Sequence, residues 1–584
     1  MSIDISDRKR LVDTALGKVS ADLVIKNGLL IDVYSGRLVP NCSIAVSGSK
    51  IAYVGPDADY AVGNSTHVID AKGCMISPGY MDVHTHLSSH WDISDFLKYA
   101  IPCGITTLIT EIESYGFALG ARGVRDFLSQ ISSRPIKMFG LIPPMVTISP
   151  AVKELFVTTD EAVEFLKDDR IIGLGESYWQ DVVLKDDTRI LELMEKTLEA
   201  GKSVQGHAAG AFDRKLASYT AAGALSCHEA ITTEDVLSRL QQGYYVMVRE
   251  GYIRHDLEII FPVIDRIDLR RLILVTDGSE PELLIRQGYL VDVVQKAVDM
   301  GLEKIRAVQM VTLNPAEHFR IDHITGGISP GRFADILLLP ESGAMKPEMV
   351  ISNGKIVAEK GRASVPLQRI SYPEELYNTV KIPFIFPSDM STPVSDAGSD
   401  GEIRTLDIQP GGLVTREGKA RASVRDGLYI SDPEEDLLKV VFIERVSGTG
   451  EKFIGFVRGW KQKCGAVATS LCWDVSGVIA IGENDSDLAT AINKVIEMKG
   501  GTAVCKRGEI SVAIPFPVGG YVSEMEIECL SREMTRFQEI VSSFGVAFES
   551  ALLTLYTLTS ASIPFIKIME KGYYRFREGD VVGL

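Results

Sequence analysis

Apolar positions along the chain follow two rhythms. Between residues 22 and 75, short β-rich runs alternate with turn signals: DLVIKNGLLID, SIAVSGSKIAYVG and THVIDAKGCMI. Asn-Gly and Ser-Gly mark hairpins there, which predicts a small antiparallel unit. The same style returns at 334–358, ADILLLPESGAMKPEMVISNGKIVA. Between these flanks, short apolar runs alternate with amphipathic stretches of helical period. The runs are YMDVHTH, ITTLITEI, KMFGLIP, IIGLGES, SVQGHA, ALSCHEA, YYVMVRE and LILVTDG; the helical stretches include RILELMEKTLEA, TEDVLSRLQQ and LVDVVQKAVDM. Eight such runs, each followed by helix-like sequence, predict a (β/α)8 barrel of about 250 residues. After a polar stretch, PSDMSTPVSDAGSDGE, strand-like VVFIERV, FIGFVRG and ISVAIPF mix with helix-like DLATAINKVIEMKG and SREMTRFQEIVSSFG. The predicted organisation is therefore α/β. Residues 1–75 begin a small β-sandwich-like domain, 76–325 form the barrel, and 326–370 return to the small domain. Residues 371–400 are a linker, and 401–584 form an α/β accessory domain.

Composition narrows the class of function. At 584 residues the chain exceeds one hydrophobic core, and 45% hydrophobic with 24% charged residues is globular. A net charge of −17 argues against a nucleic-acid partner. The charged start, MSIDISDRKR, lacks an apolar core, so no signal peptide is expected. FIGFV and ALLTLYTL fall short of a membrane span. Eight cysteines lack paired spacing, and Cys103, Cys227 and Cys472 sit in apolar runs, which reads as reduced thiols of a cytoplasmic protein.

In a barrel the chemistry lies at the C-terminal ends of the strands. The first run ends in His84 and His86, whose spacing of two puts both side chains on one face of a strand. Glu176 ends the fourth run, His207 the fifth, His228 the sixth and Asp277 the eighth. One histidine at a strand end carries little weight; the joint set in barrel order carries much. Imidazoles and carboxylates in this proportion suit Zn, Fe or Mn. Six are too many for one tetrahedral ion and enough for two ions bridged by a carboxylate and a hydroxide. His67, His318 and His323 fall in hairpin or loop contexts and carry no such expectation, while His90 lies just past the first run on the rim. Glu113, Ser114, Trp179 and Arg249, polar or aromatic near strand ends, are candidates for the substrate pocket. Rim packing or a structural ion pair is the alternative for each.

PGYMDVHTH, then GH, CHE and TDG, resemble the amidohydrolase superfamily, and further segments resemble its adenine deaminase branch. These are HTHLSSHWDISDFLKYAIPCGITTLIT, CHEAITTEDVLSRLQQGYYVMVREG, GGISPGRFADILLL and, in the last block, GFVRGWKQKCGAVATS and IGENDSDLATAINKVIEMKGG. The resemblance covers roughly residues 20–584. It implies a binuclear centre with His84, His86, Glu176, His207, His228 and Asp277 as ligands and Glu176 bridging. It further implies two divalent ions, Mn or Fe with Zn as the alternative, a small heterocyclic substrate, and a homo-oligomer, a dimer. The expected reaction is hydrolytic deamination of adenine or a related aminopurine by a metal-bound hydroxide. Asp277 would act as general base and then acid, and His228 would assist polarisation. Opening of a lactam or imide ring fits the same ligands and differs only in which C–N bond breaks. A non-catalytic metal-binding scaffold is a third reading, against which six intact ligands argue.

The chain also departs from that family. Where the family carries Asp-Pro-His-Glu, Glu111, Ile112, Glu113 and Ser114 stand here. Gly278 replaces the second of two aspartates, Tyr289 stands where a histidine is expected, and Trp473-Asp474-Val475-Ser476-Gly477 replaces a His-Asp-x-x-His stretch. Changes at 113, 114, 278 and 289 predict poorer turnover of adenine than of some other heterocycle.

Overall fold

The computed structural model describes residues 5–153, 155, 157–185, 187–394 and 401–584. The eight apolar runs contribute eight parallel strands in two hydrogen-bonded arcs. One arc joins Tyr80–Asp82, Ile105–Glu111, Lys137–Ile142, Ile171–Tyr178 and Ser203–His207 in that order. The other joins Ser226–Cys227, Tyr245–Arg249 and Leu272–Val275. Strands buried on both faces need helices on the outside, and helices such as Thr188–Glu199, Thr233–Gln241 and Leu290–Asp299 follow them. Met81, Ile109, Phe139, Met247 and Ile273, each from a different strand, share a core cluster with Phe319 and Ile324 beyond the last strand. The two arcs meet where the Asp277 N–H donates to the His84 carbonyl at 3.1 Å, so the ends of the first and eighth strands are clasped together.

The two β-rich flanks form a single nine-stranded sheet. Its seam is the antiparallel pairing of Met75–Pro78 with Ile336–Leu339, in register Ile336↔Pro78 and Leu338↔Ile76. A buried ion pair ties this sheet to the barrel: Lys137 Nζ, at the start of the third strand, lies 2.6 Å from Asp335 Oδ1 and 2.9 Å from Asn353 Oδ1. Removing one partner of a buried pair strands the other charge, at a cost of about 3–5 kcal/mol. Asp335→Ala is therefore expected to lower the urea midpoint markedly. The rate per folded molecule should be unchanged, because this end of the barrel lies opposite the strand ends that carry the candidate ligands.

The last block is an eight-stranded sheet with the helix Asp485–Glu497 packed on it. Part of the expected linker belongs to this core: Ile382, Ile385 and Met390 are buried against Val441 and Leu488. Residues 395–400 of that linker lie outside the described residues. The block meets the barrel through polar contacts, among them Tyr178 Oη to Asp474 Oδ1 at 2.9 Å and Ser149 Oγ to Glu570 Oε1 at 2.7 Å. All eight cysteines are free thiols, and among the described residues no helix is long and apolar enough to cross a membrane.

Candidate metal centre

His84, His86, Glu176, His207, His228 and Asp277 converge at the C-terminal end of the barrel. Their donor atoms fall into two groups, each within 4.8 Å: His84, His86, Glu176 and Asp277 in one, Glu176, His207 and His228 in the other. Glu176 belongs to both. Its Oε1 lies 3.3 Å from His84 Nε2 and 3.4 Å from His86 Nε2, while its Oε2 lies 2.9 Å from His207 Nδ1. Asp277 Oδ1 stands 3.1 Å from His84 Nε2 and 3.2 Å from His86 Nε2. The rings of His84 and His228 stack at 3.9 Å.

The donor set fits a divalent ion. Ligand atoms about 2.1 Å from a common tetrahedral ion stand about 3.4 Å apart, close to the separations found here. His84 Nε2 is buried and makes no hydrogen bond despite two carboxylates beside it. A nitrogen aimed between two carboxylates and bonded to neither suits a cation. Charge is matched as well. Burial would lower the His84 imidazole, but Asp277 and Glu176 outweigh it and push it up to about 10. Burial would raise Glu176 and Asp277, yet the imidazoles hold both carboxyls well below the usual range. Burial and the neighbouring His84 push His228 down to about 3, leaving it neutral with a free lone pair.

A cavity of about 370 Å³ opens over this cluster. Its floor includes His86, Glu176, His207, His228 and Asp277; the barrel supplies Phe117, Met145 and Ile253 to its wall, and the last block supplies Leu413, Val414, Trp473, Asp474, Ile563 and Pro564. Ser114 lines it. Glu113 lines it too, but its Oε1 is engaged at 2.7 Å by His86 Nδ1. Arg249 lines it from within an ion cage, its Nε donating to Asp256 Oδ2 at 3.1 Å and its Nη1 to Asp277 Oδ2 at 3.2 Å and to Glu229. Trp179 is not among the lining residues; its indole N–H donates to the Ala209 carbonyl at 2.8 Å. Two of the departures also lie off the cavity wall. Tyr289 is buried, its hydroxyl 2.9 Å from Thr85 Oγ1, and Gly278 occupies a left-handed turn with φ +96 that favours glycine.

Glu111, Glu229 and Asp474 also line the cavity, and none of them was among the expected site residues. Glu229 carried a signal, standing next to His228 in SCHEA. Asp474 stood in a stretch that departs from the family, but only the docked block brings it to Tyr178, Ser560 and the Ala561 N–H. Burial pushes its carboxyl up to about 6. His90, on the expected rim, is instead buried in the seam with the last block, its N–H donating to the Tyr521 carbonyl at 2.8 Å. His318 ends the helix Leu313–His318, not a loop, and is buried with Nε2 3.0 Å from Gln205 Oε1.

The fold and the donor cluster define an amidohydrolase with a site suited to divalent metal. Residues 75–357 match the amidohydrolase family and residues 412–580 match the adenine deaminase C-terminal domain. An adenine deaminase of Moorella thermoacetica is 34% identical over 571 residues, spanning 97% of this chain and 96% of that protein. One of Rubrobacter xylanophilus is 33% identical, spanning 97% of this chain and 95% of that protein. One of Clostridium botulinum is 31% identical, spanning 99% and 97%. This chain belongs to the adenine deaminase family and is a hydrolase of C–N bonds.

Proposed function

We propose that this enzyme converts adenine and water to hypoxanthine and ammonia at a binuclear centre held by His84, His86, Glu176, His207, His228 and Asp277. The observation that carries the reading is Glu176, whose carboxylate belongs to both donor groups, with Oε1 toward His84, His86 and His228 and Oε2 toward His207, so it would serve both ions. Two divalent ions, Mn or Fe with Zn able to use the same donors, would acidify the attacking water and polarise the ring C=N bond.

The protein's own groups do the rest. Asp277 is held ionised, with Arg249 on Oδ2 and the two imidazoles facing Oδ1. It takes the proton from the attacking water and returns it to the departing amino nitrogen, acting as base and then as acid. Arg249 spends its donors on Glu229, Asp256 and Asp277, so its task is to aim Asp277 and not to hold substrate. The apolar outer wall, Leu413, Val414, Ile563 and Pro564, keeps bulk water from the reacting ring.

The departures bear less on substrate choice than their number implies. Gly278 and Tyr289 lie off the wall and Glu113 is engaged by His86, which leaves Glu111, Ser114 and Trp473 as the changes that line the cavity. On the likeness to adenine deaminases along nearly the whole chain, adenine is expected to be the best substrate. The test is Mn- or Fe-loaded protein assayed with adenine, other purines and cyclic amides, following ammonia and ring absorbance separately. Equimolar ammonia with the ring intact, and the highest kcat/KM for adenine, is the expected result. Ring loss without ammonia, or a clear preference for another heterocycle, defeats the reading.

A further inference from the structure

Resting on the centre just described, we propose that Glu113 is a positioning residue that holds His86 in its metal-binding tautomer. His86 turns Nε2 toward Asp277 Oδ1 and Glu176 Oε1, at 3.2 and 3.4 Å, so Nε2 is the nitrogen that faces the donor cluster. Its other nitrogen, Nδ1, lies 2.7 Å from Glu113 Oε1. In this pair the carboxylate oxygen accepts, so with Nδ1–H given to Glu113 the ring would meet a cation through Nε2.

Packing alone does not hold this ring. The side chain of His86 is 21% exposed, against 1% for His84, 7% for His207 and 4% for His228. The least enclosed imidazole of the four is thus the one with a carboxylate on its far nitrogen. Among the described residues Glu113 has no competing hydrogen bond, since its Oε2 is buried without a partner there. A charged acceptor on the far nitrogen also raises the basicity of a ligating imidazole, which strengthens its bond to a cation. The resembling family carries histidine at this position, which accepts the same hydrogen only as a neutral group. Glu113 lines the cavity, and the substitution there acts through His86 on the centre.

The experiment titrates full-length metal-free protein with Mn²⁺ against a chromogenic chelator, for wild type, Glu113→Ala and Glu113→Gln. Glu113→Ala is expected to bind one of two ions about 10- to 100-fold more weakly. Glu113→Gln, whose amide oxygen still accepts from Nδ1–H, should stay within a few-fold of wild type. With Mn²⁺ saturating, the KM of Glu113→Ala for adenine should be unchanged. Wild-type affinity in Glu113→Ala overturns the proposal, and unchanged affinity with a raised KM marks Glu113 as a substrate contact instead. Should Glu113→Ala not fold, Glu113→His carries the test: several-fold weaker binding of one ion supports the proposal and unaltered binding overturns it. Wild-type protein that binds no Mn²⁺ overturns the binuclear centre itself, and the proposal with it.

Discussion

Asp277→Asn is expected to lower turnover by about 10²- to 10⁴-fold, the range for removing a positioned acid–base group, while most of the bound metal is retained. The amide keeps an oxygen where Asp277 Oδ1 now faces His84 and His86, and His84, His86 and Glu176 remain as donors. What an amide cannot do is take a proton from water and give it to a leaving nitrogen. It also removes the charge that Arg249 is built around, so part of the loss is the proton path and part is aim. The check pairs ammonia release under saturating adenine with metal content by mass spectrometry on the same preparation. Near-normal turnover would place the proton path on another group.

His207→Ala is expected to reduce bound metal from two ions per chain to one and to abolish most turnover. The second donor group has three members, and one of them, Glu176, is already shared with the first. Without His207 it is left with His228 and half of a carboxylate, too few donors for a divalent ion. The side chain is buried against the Tyr178 ring at 4.8 Å, so the variant also needs a denaturation midpoint to show that it is folded. A folded His207→Ala that keeps two ions, or works fully with one, would defeat the two-ion centre.

What could be read from the chain and what could not divide along a physical line. The eight strands were legible because each is a short apolar run, buried on both faces, that ends in turn-forming or polar residues. The donor set was legible because its members stand at strand ends or just past them, although His84 and His86 lie in the loop after the first strand, Tyr80–Asp82, and not on the strand face their spacing predicted. Destinations of long side chains were not. Arg249 ends its strand as a substrate-facing residue would, and only the folded positions of Glu229 and Asp256 turn it into an internal brace. Trp179 starts a helix, Trp179–Val183, and the Ala209 carbonyl that captures its indole belongs to another loop. The same holds for Asp474, whose partners Tyr178 and Ser560 lie far from it in sequence and on either side.

The outer wall has a consequence for how the enzyme comes into being. The first candidate donor, His84, is made early, but part of the cavity wall comes from residues 562 to 564. A ribosome that has released only the barrel presents donors over an open basin. Residues 562–564 follow the candidate donors by nearly three hundred positions, so the donors would be in place well before the chain could shelter a purine.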